Sequence, residues 1–250
     1  MEKSLAISQS VSSIDDESPK TAIHQVSAIQ RPARVNVGCG ATPINGWLNF
    51  DNSLTVRLAA FPMLLPWLRR LQLLNGEQLA FARSVAEHRV EWAEATRTLP
   101  LRDASVEVLY SSHMLEHLDH SERDRFLKEA KRVLVPGGII RLVVPDLAKM
   151  IRNYSQTGDA DTFVASTLLS TDRPAGLLAR LRLLLVGTRH HAWMYDAGSL
   201  ERLLISHGFV RATSMPPGET LIPNPGPLNL REREDESVFV EATKPSVGLH

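Results

Sequence analysis

The stretch VNVGCGATPINGWLNFD, Val35 to Asp51, constrains this chain more than any other. A β-branched run stops at Gly38-Cys39-Gly40, and a carboxylate follows at Asp51, eleven residues past Gly40. Glycines after a first strand let the backbone approach a ligand closely. An acid at the end of the second strand can accept hydrogen bonds from a ribose diol. Together they describe a pocket for a nucleoside-bearing cofactor. A dinucleotide fingerprint would need a third glycine and a gap of about 20 residues to the acid. Here the run continues Ala41-Thr42-Pro43, and no full crossover helix fits before the second strand. A pyrophosphate resting on a long helix N-terminus is therefore disfavoured.

The rest of the chain alternates between strand and helix patterns. Arg34–Val37, Trp47–Phe50 (ending at Asp51) and Val106–Ser111 read as strands, and Ile139–Val144 has the unbroken apolar character of a buried parallel strand. Ser121 with Asp124 reads as the cap of a helix that buries Phe126, Leu127, Ala130, Val133 and Leu134. Pro136-Gly137-Gly138 is expected to stop it. Residues 52–90 read as one or two helices, and 147–186 as helical with a break near 172–176. Ser199–Ser206 reads as a further helix, and Phe209–Ser214 and Val238–Thr243 as a final pair of strands. Residues 215–237, with five prolines, read as a long loop between that pair. This alternation predicts a doubly wound α/β sheet, with ligands at the carboxyl ends of the strands. The chemistry should then sit at Gly38–Gly40, Asp51, Ser111–His117 and Pro145-Asp146.

Composition narrows the partners. Lys+Arg and Asp+Glu both number 28, so no basic excess points to a nucleic acid. The chain has one cysteine, which suits a reducing, cytoplasmic setting. No apolar run reaches the ~18–20 residues of a membrane helix. Residues 1–30 are rich in Ser, Asp, Glu and Gln and read as a disordered tail ahead of a domain spanning 31–245. The Leu/Arg-rich stretches 54–74 and 175–188, within helical segments near 54–90 and 160–190, read as helices covering the pocket. A sharper reading of them is peripheral contact with a membrane that carries the acceptor.

The ordered series VNVGCG, GWLNFD, LPLRDASVEVLYSSHMLEHL, LKEAKRVLVPGGIIRLVVPD and HHAWMYDAGSLERLLISHGF resembles the class I S-adenosylmethionine-dependent methyltransferases. It looks closest to a bacterial branch with a short Gly-Trp-x-Asn-x-Asp second strand, often linked to surface-polysaccharide or glycolipid synthesis. The resemblance implies a Rossmann-like seven-stranded sheet, mostly parallel with an antiparallel last strand, and helices on both faces. It implies S-adenosyl-L-methionine as cofactor and a small-molecule, sugar or glycolipid hydroxyl as acceptor. Lipid, quinone or other small-metabolite acceptors, or an inactive partner domain, are the alternatives. It places Gly38, Cys39 and Gly40 along the methionine part of the cofactor and Asp51 on the ribose. Glu94 and Ala95 fall by the adenine, where an aspartate is more common than this glutamate. Ser111 and His113 close the fourth strand facing cofactor and acceptor.

Removing the acceptor proton requires a base, and histidine suits that task near neutral pH. His113 is the leading candidate, with Asp146 and His191 as further catalytic candidates near the acceptor. Asp146 has a competing role as the cap of the following helix. Glu116 reads as a brace for the loop. His113, Glu116 and His117 form a His-x-x-Glu-His spacing, but the sequence shows no third ligand, so no metal is expected.

Overall fold

The computed structural model describes residues 33–59, 87–169 and 190–246, with isolated positions 61, 63, 67, 70 and 85. The expected tail at 1–30, the stretch 175–188 and most of 60–86 lie outside the described residues.

Seven strands form one sheet: β1 (Ala33–Val37), β2 (Leu48–Asp51), β3 (Val90–Trp92), β4 (Val106–Ser112), β5 (Leu134–Pro145), β6 (Val210–Met215) and β7 (Ser237–Thr243). Their order is β3-β2-β1-β4-β5-β7-β6. The first five pair in parallel, while β7 runs antiparallel to both β5 and β6. Among the described residues the helices are α1 (Leu54–Ala59), α2 (His120–Val133), α3 (Leu147–Thr157), α4 (Ala160–Thr167) and α5 (Ala197–Ser206). A single 3-10 turn, Leu115–His117, joins β4 to α2.

Apolar side chains of the central strands, Val35, Val37, Leu109, Ile140, Leu142 and Val144, pack with Phe126, Leu127, Ala130 and Val133 of α2 and Leu200 and Leu204 of α5. Trp47, Val108, Tyr110, Val143 and Phe239 build a second cluster with Ile222 and Leu228 of the long loop. Parallel strands with side chains buried to either side leave their carboxyl ends as the place for polar groups.

Two boundaries differ from the sequence expectation. The cap of α2 is Asp119, whose side chain accepts from the Glu122 N–H while Glu122 reaches back to the Asp119 N–H. Asp119 and Ser121 are both good caps, and only the reciprocal Glu122 bond decides between them. Pro136-Gly137-Gly138 lies inside β5 rather than before it, since α2 ends at Val133 and the strand starts at once. The glycines pair with Lys244 through Gly137 N–H to Lys244 O and Lys244 N–H to Gly138 O, both 2.9 Å. A Cβ on Gly138 would sit 2.9 Å from Val135 O and 3.2 Å from Glu107 O, so only glycine fits this crossing.

The long loop between β6 and β7 is tied across the sheet. The buried Arg141 guanidinium donates to the buried Glu241 carboxylate at 2.5 Å and to the carbonyls of Glu219 and Leu230. Glu241 also accepts from Thr220 Oγ1 and the Leu221 N–H. Farther along, Arg34 of β1 donates to the carbonyls of Pro223 and Asn224 at 2.8 and 2.6 Å.

Candidate active site

The glycine loop folds back over β2. The N–H groups of Gly38 and Cys39 both donate to Phe50 O, at 2.8 and 3.1 Å. The Asp51 carboxylate then accepts from the Gly40 N–H through Oδ2 at 2.9 Å and from the Ser53 N–H through Oδ1 at 2.8 Å. Those two bonds fix the carboxylate at the carboxyl end of β2, while each oxygen keeps a lone pair for a further donor. Gly38 has φ +69°, and a Cβ there would stand 2.6 Å from Met114 Cγ. Gly40 has φ +47° with open space where its Cβ would be. Cys39 is buried, and desolvation, first, with the nearby Asp51 charge raises its thiol pKa to about 12. It is a packing residue of the loop and no nucleophile at neutral pH.

The adenine candidates follow β3. Glu94 accepts from Asn52 Nδ2 at 3.0 Å and from Thr96 Oγ1 at 3.1 Å, and Ala95 is buried beside it. The structure adds Trp92, which the sequence did not single out. Its indole donates to Asn52 O at 3.0 Å, and Arg57 lies over its ring at 4.1 Å. Among the described residues, the hydroxyls of Ser53 and Ser111 are buried without a hydrogen-bond partner. Orphaned hydroxyls at two strand ends, a bound but unsaturated carboxylate and an open Gly40 suit a ribose-bearing, amino-acid-tailed ligand. A separate hollow of about 410 Å3, lined by Asn45, Trp47, His88 and Arg89, opens at the amino ends of β2 and β3 and holds none of these groups.

The acceptor candidates gather one strand over. His113 follows β4 in a left-handed backbone conformation, φ +50°, with its N–H on Val143 O at 2.8 Å. Its ring is held from both sides: Nε2 is 3.0 Å from Ser237 Oγ and Nδ1 is 3.4 Å from Glu116 Oε1. Such a backbone is uncommon outside glycine and clusters at functional sites. Asp146 caps α3, accepting from the Ala148 N–H at 2.9 Å, with Arg152 Nη2 3.9 Å from its other oxygen.

His191 comes in from a distant segment. The Glu116 carbonyl accepts the N–H groups of both Ala192 and Trp193, at 2.7 and 3.1 Å. The His191 N–H donates to Leu168 O, and its Nδ1 contacts Thr167 O at 2.8 Å. Burial, opposed by the Glu116 charge, lowers the His191 pKa, so the ring is neutral near pH 7. The His191 and His117 rings meet edge to face at 5.1 Å, and His120 stands against Trp193 at 4.6 Å. The structure therefore brings His113 and His191 to one carboxylate, Glu116, and leaves Asp146 committed to a helix cap. Glu116 and Ser237 escaped sequence reasoning as site residues; the His-x-x-Glu-His spacing was the available signal for the first.

Residues 71–142 match a family model described as a methyltransferase domain. Solved structures of similar fold include a methyltransferase of Methanosarcina mazei described as S-adenosylmethionine-dependent, at 18% identity over 88% of this chain and 95% of that one, TM-score 0.47. Another, of Mesorhizobium loti, shows 17% identity over 86% and 92%, TM-score 0.43. A third is a Haloferax volcanii complex of the Trm112 activator with a methyltransferase, at 12% identity over 86% and 83%, TM-score 0.46. A search of curated proteins finds no match. The sheet order, with one reversed strand, is the seven-stranded, mostly parallel, Rossmann-like arrangement expected from the sequence. The family model covers less than a third of the chain, whose glycine loop and Asp51 carboxylate suit S-adenosylmethionine as a ligand.

Proposed function

We propose that this protein is an S-adenosylmethionine-dependent methyltransferase that methylates a hydroxyl of a sugar or glycoconjugate in the cytoplasm, with His113 as general base. The bound cofactor supplies a sulfonium methyl that is displaced in line, so the protein's part is alignment and proton removal. The observation that carries the proposal is the placement of His113. It ends β4, beside Gly38-packed Met114, with its ring braced between Glu116 and Ser237. In this role Gly38, Cys39 and Gly40 pass the methionine portion, Asp51 takes the ribose hydroxyls, Glu94 and Ala95 border the adenine, and Ser111 lines the space toward the acceptor. His191 and exposed Trp193 supply the polar and aromatic wall that sugar rings favour.

A second reading, a lipid-linked or lipid acceptor, draws support from apolar surface beside that wall. Ile151 of α3, Val164 of α4 and then Leu168 and Leu169 are each about half exposed, and Leu168 O is the carbonyl that holds the His191 backbone. No helix among the described residues is long and apolar enough to cross a membrane, so contact would be peripheral.

The test uses the full chain with methyl-labelled S-adenosylmethionine and a panel of sugar nucleotides, polysaccharide repeat units, lipid-linked sugars and quinones. Label on a sugar hydroxyl supports the first reading. Label only on lipid or quinone acceptors overturns it in favour of the second. Calorimetry on Asp51→Ala should show cofactor binding weakened by about 10–100-fold, the worth of charge-assisted hydrogen bonds of ~1.5–3 kcal/mol.

A further inference from the structure

We propose that Glu116, His117 and His191 bind one divalent transition-metal ion, of the zinc, cobalt or manganese kind, beside the acceptor position. The sequence offered Glu116 and His117 but no third ligand; the fold delivers His191, 75 positions beyond Glu116, by the two hydrogen bonds on the Glu116 carbonyl.

Charge makes the case first. The Glu116 side chain is 1% exposed, and among the described residues neither carboxylate oxygen receives a hydrogen bond. A buried carboxylate without hydrogen bonds, its nearest polar neighbour the His113 Nδ1 at 3.4 Å, is costly, and native structures compensate it with a cation. Around it stand three imidazoles, with His117 Nε2 and His191 Nε2 each 4.0 Å from Oε1.

The hydrogen bonds of those rings then fix their tautomers. His117 Nδ1 lies 2.8 Å from His190 O, and His191 Nδ1 lies 2.8 Å from Thr167 O. A carbonyl only accepts, so each Nδ1 carries a proton, and each ring turns its Nε2 toward the carboxylate. With Nδ1 taken up by a carbonyl in both rings, Nε2 is the atom left to ligate, and the two Nε2 atoms converge with the carboxylate on one point. A histidine whose far nitrogen donates to a backbone carbonyl is also the usual second layer of a metal site, fixing ring orientation and raising ligand basicity.

The geometry is within reach of coordination. The three ligand atoms lie within 4.8 Å of one another. A four-coordinate ion with bonds of ~2.0–2.2 Å spaces its ligands by roughly 3.3–3.6 Å. Closing the remaining ~1 Å takes small rotations of His117, the exposed member of the set, and of the Glu116 carboxylate toward His191, since both Nε2 atoms start 4.0 Å from Oε1. Two imidazoles and one carboxylate select a transition dication over magnesium or calcium and leave one coordination position open. If the function proposed above is right, an acceptor hydroxyl takes that position and is acidified there. Its proton passes to His113, its oxygen forms the bond to the methyl carbon, and the carbon–sulfur bond breaks to release S-adenosylhomocysteine.

Chelator-treated full-length protein should be titrated with Co2+ and followed by visible absorption, then challenged with Zn2+. One equivalent of Co2+ giving ligand-field bands, displaced by one equivalent of Zn2+, is the expected result. His117→Gln, at an exposed position that tolerates change, should weaken Co2+ binding at least about 100-fold, beyond the 10–100-fold typical of outer-layer partners. Circular dichroism should show it folded. His191→Ala should do the same, and Zn2+ should raise the melting temperature of the wild type but of neither variant. Absence of ligand-field bands in folded wild type overturns the proposal and assigns the compensating charge to protonated histidines. Equal Co2+ affinity in wild type and His117→Gln also overturns it. Since Co2+ binding is read without any acceptor, failure of the sugar reading and failure of the metal site are separate results.

Discussion

Gly38 and Gly40 occupy one loop for different physical reasons, and alanine at each should separate them. Both have positive φ, +69° and +47°, where an L side chain costs about 1–2 kcal/mol. Only at Gly38 does the new methyl also collide, at 2.6 Å with Met114 Cγ and 2.9 Å with Met114 Cβ. Overpacking of that kind adds about 1–3 kcal/mol. Gly40→Ala should therefore lose about 1–2 kcal/mol and Gly38→Ala about 2–5 kcal/mol in equilibrium urea unfolding. Met114→Ala removes the Cγ contact and leaves the Cβ contact and the backbone term. In that background Gly38→Ala should cost less by about 1 kcal/mol, and the double-mutant cycle measures the difference. Cofactor affinity by calorimetry should fall in the same order, because the amides of Gly38 and Cys39 anchor the loop on Phe50 O. Gly40→Ala destabilising as much as Gly38→Ala, or no coupling with Met114, would refute the reasoning.

Three further outcomes are expected. His113→Ala should lower kcat by about 10²–10⁴-fold with cofactor affinity nearly unchanged, the mark of a base rather than a binding group; stopped turnover assays with calorimetry read both. Arg141→Met leaves Glu241 buried with its charge uncompensated, which should cost about 3–5 kcal/mol and lower Tm by roughly 6–20 °C. Adding Glu241→Gln, which keeps an acceptor for the Leu221 N–H, should restore part of that loss. Cys39, the single cysteine, titrates near 12 rather than its ordinary 9.0, so below that pH the thiol stays protonated. Iodoacetamide at pH 8 should then alkylate the folded protein about 10³-fold more slowly than the urea-unfolded one; equal rates would contradict the burial.

Much of the sheet was readable because its signals are local. Strand composition, the glycine turn and the acid at the end of β2 are each decided within a few residues. The boundary of α2 was misread by two residues because Asp119 and Ser121 are chemically equivalent caps until the Glu122 bond is known. Pro136-Gly137-Gly138 looked like a break because local propensity does not register that Lys244, more than a hundred residues on, pairs with it. The same holds at the site. His113 was legible from its place at a strand end. The meeting of Glu116 with His191 was not, since it depends on backbone bonds from a segment that no spacing rule connects to β4.

The clasp of Arg34 on Pro223 and Asn224 bears on how the chain comes to be folded. These bonds join positions 189 and 190 apart in sequence, so the clasp on β1 stays open until the long loop has left the ribosome. Local helices such as α2 can form early, but closing so wide a separation is slow. An early strand of the sheet thus makes one of its contacts late. The glycine loop that follows β1 rests instead on Phe50 O and Asp51, so its anchors come from close neighbours in sequence and can form before the clasp closes.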